Sequence, residues 1–155
     1  MQGNAMNKVM WFDIPVRDLD AGSRFYQDVF GWDVRPRHPG DEDDVLSFRV
    51  ANTADTLPSG APNAIGAING GIVTREIGIR QPTILVEVDD IEAALERIVN
   101  AGGCIVSRSR ALPLAGGRFA YFEDPDGNIS GLWQWASSQE GPLQSADALP
   151  PAAAT

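Results

Sequence analysis

IPVRDLDAGSRFYQDVFGWDV, residues 14–34, is answered further along the chain by VEVDDIEAALERIVNAGGCIV, residues 86–106. The two stretches align without a gap, each residue meeting its counterpart 72 positions on. Asp18 meets Asp90, Leu19 meets Ile91, Tyr26 meets Ile98 and Gly31 meets Gly103. Few residues are identical, yet the pattern is shared. A short apolar run leads to an Asp with an aliphatic neighbour, then an amphipathic segment, then Gly and a second apolar run. An Asp is a good helix N-cap and a Gly ends a helix at low steric cost. Each copy therefore reads as strand, capped helix, glycine stop, strand.

Working outward, residues 8–17 (KVMWFDIPVR) alternate as a strand, with Met10, Phe12, Ile14 and Val16 on one face and Trp11, Asp13 and Pro15 on the other. Pro15 suggests an edge position or a break in the ladder. Asp18 or Asp20 caps a helix that runs to about Phe30, its apolar Phe25, Tyr26, Val29 and Phe30 at helical spacing. Trp32 to Arg35 begins the next strand, Pro36 to Asp44 is a polar connection and Val45 to Val50 a further strand. Residues 51–64 read as a loop, and Ile65 to Val73 as a Gly-rich strand closing the first half. In the second half, Thr83 to Val88 is a strand with Ile84, Val86 and Val88 toward the core. Asp89 or Asp90 caps a helix to Ala101. Cys104 to Val106 is a strand, 107–117 a loop and Arg118 to Glu123 a strand. DPDGN (124–128) is a hairpin turn before the closing strand Ile129 to Trp135. Each half is βαβββ. The expected fold is α+β, with modules of about 8–74 and 82–136 forming one domain, 8–136. Their strands make a curved eight-stranded mixed sheet with a concave cavity. The Pro-, Ala- and Ser-rich tail 137–155 is expected to be disordered.

A chain of 155 residues with 43% hydrophobic content supports one packed domain. No apolar run reaches the roughly 18 residues of a membrane span, and no signal-peptide pattern is visible, so a cytoplasmic protein is expected. A formal charge of −9 repels phosphate backbones and argues against nucleic acid as a partner. The single cysteine, Cys104, excludes an internal disulfide and any multi-cysteine metal site. It reads as a small buried hydrophobe. The single histidine, His38, falls in a polar connection and reads as a solvated side chain. It leaves no Ser/His/Asp set. Gly66 to Gly71 lacks the Lys-Ser/Thr of a phosphate loop.

Taken together, FDIPVRDLDAGSRFYQDVFGW, VEVDDIEAALERIVNAGG and FAYFEDPDGNISGLWQ resemble the vicinal oxygen chelate superfamily, which includes glyoxalase I, extradiol dioxygenases, fosfomycin-resistance enzymes and bleomycin-resistance proteins. The resemblance covers about residues 8–136. It implies paired βαβββ modules, often assembled as a homodimer. In the metalloenzymes of the group it implies a divalent ion held by His, Glu or Gln of the first and last strands of the modules. Carried onto this chain, those positions fall at Trp11, Thr83, Gly131 and about Gly71. Such residues cannot assemble a coordination shell, so no metal site, no cofactor and no metal-dependent reaction are expected.

With those ligands replaced, strand alternation puts Trp11, Asp13, Asn69, Leu85, Glu87, Trp133 and Trp135 on the concave face. Tryptophan walls with carboxylates and an amide suit a flat or cationic organic ligand. The bland alternative is that the tryptophans fill the space. Asp13 and Glu87 are the only catalytic candidates, as a carboxylate pair, if they approach each other. Tyr121 and Glu123 could face the cavity or the opposite side. The expected function is binding of a small organic molecule in a metal-free cavity of a homodimeric, non-catalytic protein. Two alternatives stay open: a glyoxalase-type lyase or isomerase with an atypical metal or carboxylate site, and an interaction module with a collapsed cavity.

Overall fold

In the computed structural model, residues 6–36, 48–75, 79–112 and 116–137 are described. His38, most of the polar connection after residue 36, the start of the strand expected from Val45 and nearly all of the tail lie outside them.

The first copy forms strand β1 (Val9–Val16), helix α1 (Leu19–Phe30) and strands β2 (Asp33–Pro36), β3 (Phe48–Asn52) and β4 (Gly70–Thr74). The second forms β5 (Thr83–Glu87), α2 (Ile91–Asn100), β6 (Cys104–Leu112), β7 (Gly117–Glu123) and β8 (Ile129–Trp135). All eight strands join one sheet in the order β2-β3-β4-β1-β5-β8-β7-β6. Within each half the first and last strands are parallel neighbours, and β1 meets β5 antiparallel at the midline. The α+β fold of two βαβββ modules is the one the duplicated pattern implied.

The capping aspartates act as their spacing suggests. Asp18 accepts from the Ala21 amide at 2.8 Å, and Asp90 from the Ala93 amide at 3.1 Å. α1 stops where Gly31 turns left-handed at φ 69° and returns its amide to the Gln27 carbonyl. α2 is also tied from across the sheet, because the Gln134 amide oxygen accepts from the Ile91 N–H at 2.8 Å. In the β7–β8 turn, Asp124 accepts from the Asp126 and Asn128 amides and from the Asn128 side chain. Those bonds, the Asn128 side chain's first, hold the Asp124 carboxyl below its ordinary range.

Apolar side chains pack on both faces of the sheet. Under α1, Val34, Ala51 and Ile72 are buried with Phe12, Ile14, Tyr26 and Trp32 around them. Under α2, Ile91, Ala94 and Leu95 meet Ala120, Leu132 and Val88. The opposite face carries the aromatic cluster Trp11, Phe48, Phe119, Tyr121 and Trp133, with Val50, Val73 and Leu85.

Several expectations are corrected. β1 is a central strand, so of the two readings of Pro15 the edge position is overturned and the break in the ladder stands. Pro15 is tolerated because the pairing with β5 ends at Asp13, leaving the last residues of β1 bonded to β4 alone. β4 starts at Gly70 rather than near Ile65, because Gly66 turns at φ 82° and Ile65 is fully exposed. Residues 107–112 are not loop but continue β6, the sheet's edge strand. Cys104 is exposed on that edge rather than buried. Ile84 is exposed, while Thr83 and Leu85 on the other face of β5 are buried. Ile84 lies opposite Phe12 on the midline strands, and neither helix-side cluster includes it.

Candidate functional site

The face of the sheet opposite the helices contains a closed centre and an open end. At the centre, Trp11, Asp13, Leu85, Tyr121 and Trp133 are all essentially without solvent contact. The register explains their meeting. Asp13 lies opposite Thr83 on β5 and beside Gly71 on β4. Leu85 lies beside Gly131 on β8, which in turn opposes Tyr121 on β7. The Trp11 indole N–H donates to one Asp13 oxygen at 3.1 Å, and the Tyr121 hydroxyl donates to the other at 3.3 Å. Burial pushes the Tyr121 phenol well above its ordinary value of 10.0, and the Asp13 charge and hydrogen bond push it further the same way. Asp13 is thus a buried carboxylate surrounded by donors. Trp133 is different: its indole N–H is buried with no hydrogen-bond partner, and its ring lies over Gly117, where a Cβ would come within 2.4 Å of it.

The positions at which the family resemblance places metal ligands do not fit an ion. Trp11 offers an N–H already given to Asp13, and the Thr83 hydroxyl donates to the Gln81 carbonyl at 3.1 Å. Gly71 and Gly131 offer no side chain, and the space a side chain would need at residue 131 is taken. A Cβ there would lie 2.8 Å from Leu85 Cγ and 3.2 Å from Tyr121 Cε1. Among the described residues no three His, Cys, Asp or Glu side chains converge.

The open end is a cavity of about 300 Å³ where β1 begins and β5 and β8 end, closed on its far side by residues 59–62 and 67–69. Glu87, Trp135, Lys8 and Met10 are its main side-chain walls. The β1–β5 pairing slips between Val9 and Trp11, so β1 carries an extra residue at Met10. Such a bulge re-aims side chains, and here three consecutive residues, Lys8, Val9 and Met10, reach the cavity. The Glu87 amide donates to the Lys8 carbonyl at 2.9 Å, and the two side chains form an ion pair at 3.3 Å. Trp135 stands edge-on to Trp133 with ring centroids 5.3 Å apart.

Asn69 lines the same cavity but spends its amide on the loop. Its oxygen accepts from the Thr53 N–H at 3.0 Å, and its nitrogen donates to the Thr56 hydroxyl at 3.0 Å and the Gly60 carbonyl at 3.3 Å. It positions the wall.

The residues expected on the concave face therefore divide. Trp11, Asp13, Leu85 and Trp133 lie in the closed centre, and Asn69, Glu87 and Trp135 at the open end. Asp13 and Glu87 are not a carboxylate pair. Glu87 lies four residues along β5 from the partner of Asp13, roughly 13 Å at ~3.3 Å per residue. Sequence reasoning left the side of Tyr121 open and missed Lys8. The first needed the β7–β8 register and the second the bulge at Met10.

A lactoylglutathione lyase of Haemophilus influenzae is 32% identical over 114 residues, 72% of this chain and 81% of that one. The CFP32 protein of Mycobacterium tuberculosis is 28% identical over 127 residues, 80% of this chain, which thus spans only 44% of that protein's length. The crystal structure of methylmalonyl-CoA epimerase from Mycobacterium tuberculosis shares the fold, with a TM-score of 0.54 at 20% identity over 89% of this chain and 96% of that one. The family signature of the Glyoxalase/Bleomycin resistance protein/Dioxygenase superfamily matches residues 8–130, and the chain belongs to that superfamily.

Proposed function

We propose that this protein captures a small organic molecule, without a bound metal, in the cavity at the open end of the sheet. The observation that carries the reading is the convergence of Glu87 and Trp135 on one cavity of about 300 Å³. That volume lies at the lower end of ordinary small-ligand sites. Trp135 offers a ring face or edge for stacking, Met10 and Val9 an adaptable apolar wall, and Glu87 a polar anchor. One step inward, the positions to which the resemblance carries metal ligands hold Trp11, Gly71, Thr83 and Gly131, which supports a reading without a metal.

Tryptophan fluorescence tests this directly. Titration with a panel of mono- and bicyclic aromatic compounds should give at least one saturable quench, and Trp135→Phe should reduce its amplitude. A panel without any saturable response, or an amplitude unchanged in Trp135→Phe, would overturn the assignment of this cavity.

Further parts of the proposal are a homodimer and a cytoplasmic setting. Light scattering should give about twice the 16.6 kDa of one chain. The exposed, unbridged Cys104 suits a reducing compartment. No helix among the described residues is long and apolar enough to cross a membrane.

A second reading, a lyase or isomerase of the glyoxalase type, is favoured by the name of the Haemophilus relative. With an atypical metal site it would show a stoichiometric divalent ion in the purified protein, and with a carboxylate site it would show turnover without one. The residues at Trp11, Gly71, Thr83 and Gly131 argue against it.

A further inference from the structure

Resting on that reading, we infer that the cavity's ligand is an aromatic organic cation, and that the Lys8 ammonium is a built-in stand-in which the ligand displaces from Glu87. Lys8 and Glu87 are the only ionisable side chains lining the cavity among the described residues. Their settings differ sharply. The Glu87 side chain is 26% exposed at the wall, whereas the Lys8 side chain is 75% exposed and reaches in from solvent. A carboxylate so sheltered favours a cation beside it, while an ion pair to a largely solvated lysine contributes little and exchanges easily.

The surrounding geometry favours a cation that carries a ring. Glu87 is the strand neighbour of Trp133, and Trp135 lies two residues further along the same face of β8. A charge resting on Glu87 is therefore within one side chain's reach of the Trp135 ring, which stands braced edge-on by Trp133. An ammonium can be held there by the carboxylate and the indole together. An anion would meet Glu87 and find only Lys8, out in solvent. The chain's net charge of −9 also concentrates cations at its surface.

The experiment compares 1-naphthylmethylammonium with its neutral counterpart 1-naphthalenemethanol by calorimetry, on the wild-type chain and on Glu87→Gln and Lys8→Met. Circular dichroism checks that each variant is folded. The wild type should bind the ammonium about tenfold tighter than the alcohol. Lys8→Met should tighten the ammonium several-fold and leave the alcohol unchanged, and Glu87→Gln should bring the ammonium down to the alcohol's level. Equal binding of the two probes, or a preference for the alcohol, overturns the cation while leaving capture in this cavity standing. An ammonium affinity unmoved in Lys8→Met overturns the stand-in role. Binding of neither probe overturns this inference, and the fluorescence panel then judges the capture reading separately.

Discussion

Tyr121 and Asp13 stand 108 positions apart in the chain, yet the phenol donates to the carboxylate at 3.3 Å in the closed centre of the sheet. The Trp11 indole N–H supplies the other oxygen. The carboxylate is thus held at the midline by donors from both halves of the molecule, buried in the packing of the sheet's central face.

Removing that carboxylate should cost far more than removing one donor. Asp13→Ala leaves the Trp11 N–H and the Tyr121 hydroxyl facing a dry gap, for a loss of about 3–5 kcal/mol. Tyr121→Phe, which keeps the ring, should cost only about 1–2 kcal/mol. Urea unfolding of the two variants reads the difference, and similar midpoints would contradict the central role of Asp13.

Alkaline pH should loosen the same centre. The Tyr121 phenol is raised in the folded state, so its contribution is complete below the ordinary tyrosine value of 10.0. It is lost as pH rises from there toward the folded value, with a limiting slope of about 1.4 kcal/mol per pH unit. Stability measured between pH 9 and 11 should fall more steeply for the wild type than for Tyr121→Phe.

Leu85 and Gly131 should be energetically coupled. A Cβ on Gly131 would press on Leu85 Cγ at 2.8 Å, so Gly131→Ala should destabilise by about 1–3 kcal/mol. In a Leu85→Ala background the same change should cost about 1 kcal/mol less, since the new methyl enters the space the leucine leaves. A double-mutant cycle with no coupling would show that the backbone, not Leu85, absorbs the overlap.

Asn69→Ala should release the cavity's far wall without touching the core. The Thr53 amide loses its acceptor, and the Gly60 carbonyl and Thr56 hydroxyl lose a donor. Hydrogen exchange should accelerate at Thr53 and through residues 53–62, with global stability down by about 1–2 kcal/mol. Protection unchanged at Thr53 would mean that another contact holds the loop.

Much of the fold is legible in the sequence because its signals are local. Asp18 and Asp90 before amphipathic runs, Gly31 and Gly102 after them and the DPDGN turn each state an element's boundary in a few residues. β6 is the instructive miss. Its half-buried positions past Ile105 are Ser107, Ser109 and Leu112, so two of the three carry no apolar signal and Leu112 stands alone after them. Ser107 faces inward to accept the Tyr121 amide at 3.1 Å where the β6–β7 register slips. Alternation did place Trp11, Asp13, Leu85, Glu87 and Trp133 on the face away from the helices, but it could not say what covers them. The Tyr121 hydroxyl that donates to Asp13 comes from three strands away across the sheet. Lys8 reaches Glu87 only because β1 carries an extra residue, and no local pattern announces that slip.

That extra residue at Met10 gives the molecule a point of evolutionary freedom. Deleting one residue further along β1 would turn Trp11 or Asp13 out of the core. Deletion at Met10 would leave residues 11–16 where they are and rotate only what precedes them. A lineage could in this way rebuild what the mouth of the trough accepts while its buried carboxylate stays untouched. Descendants of one scaffold could then part company over their ligands and still share the same interior.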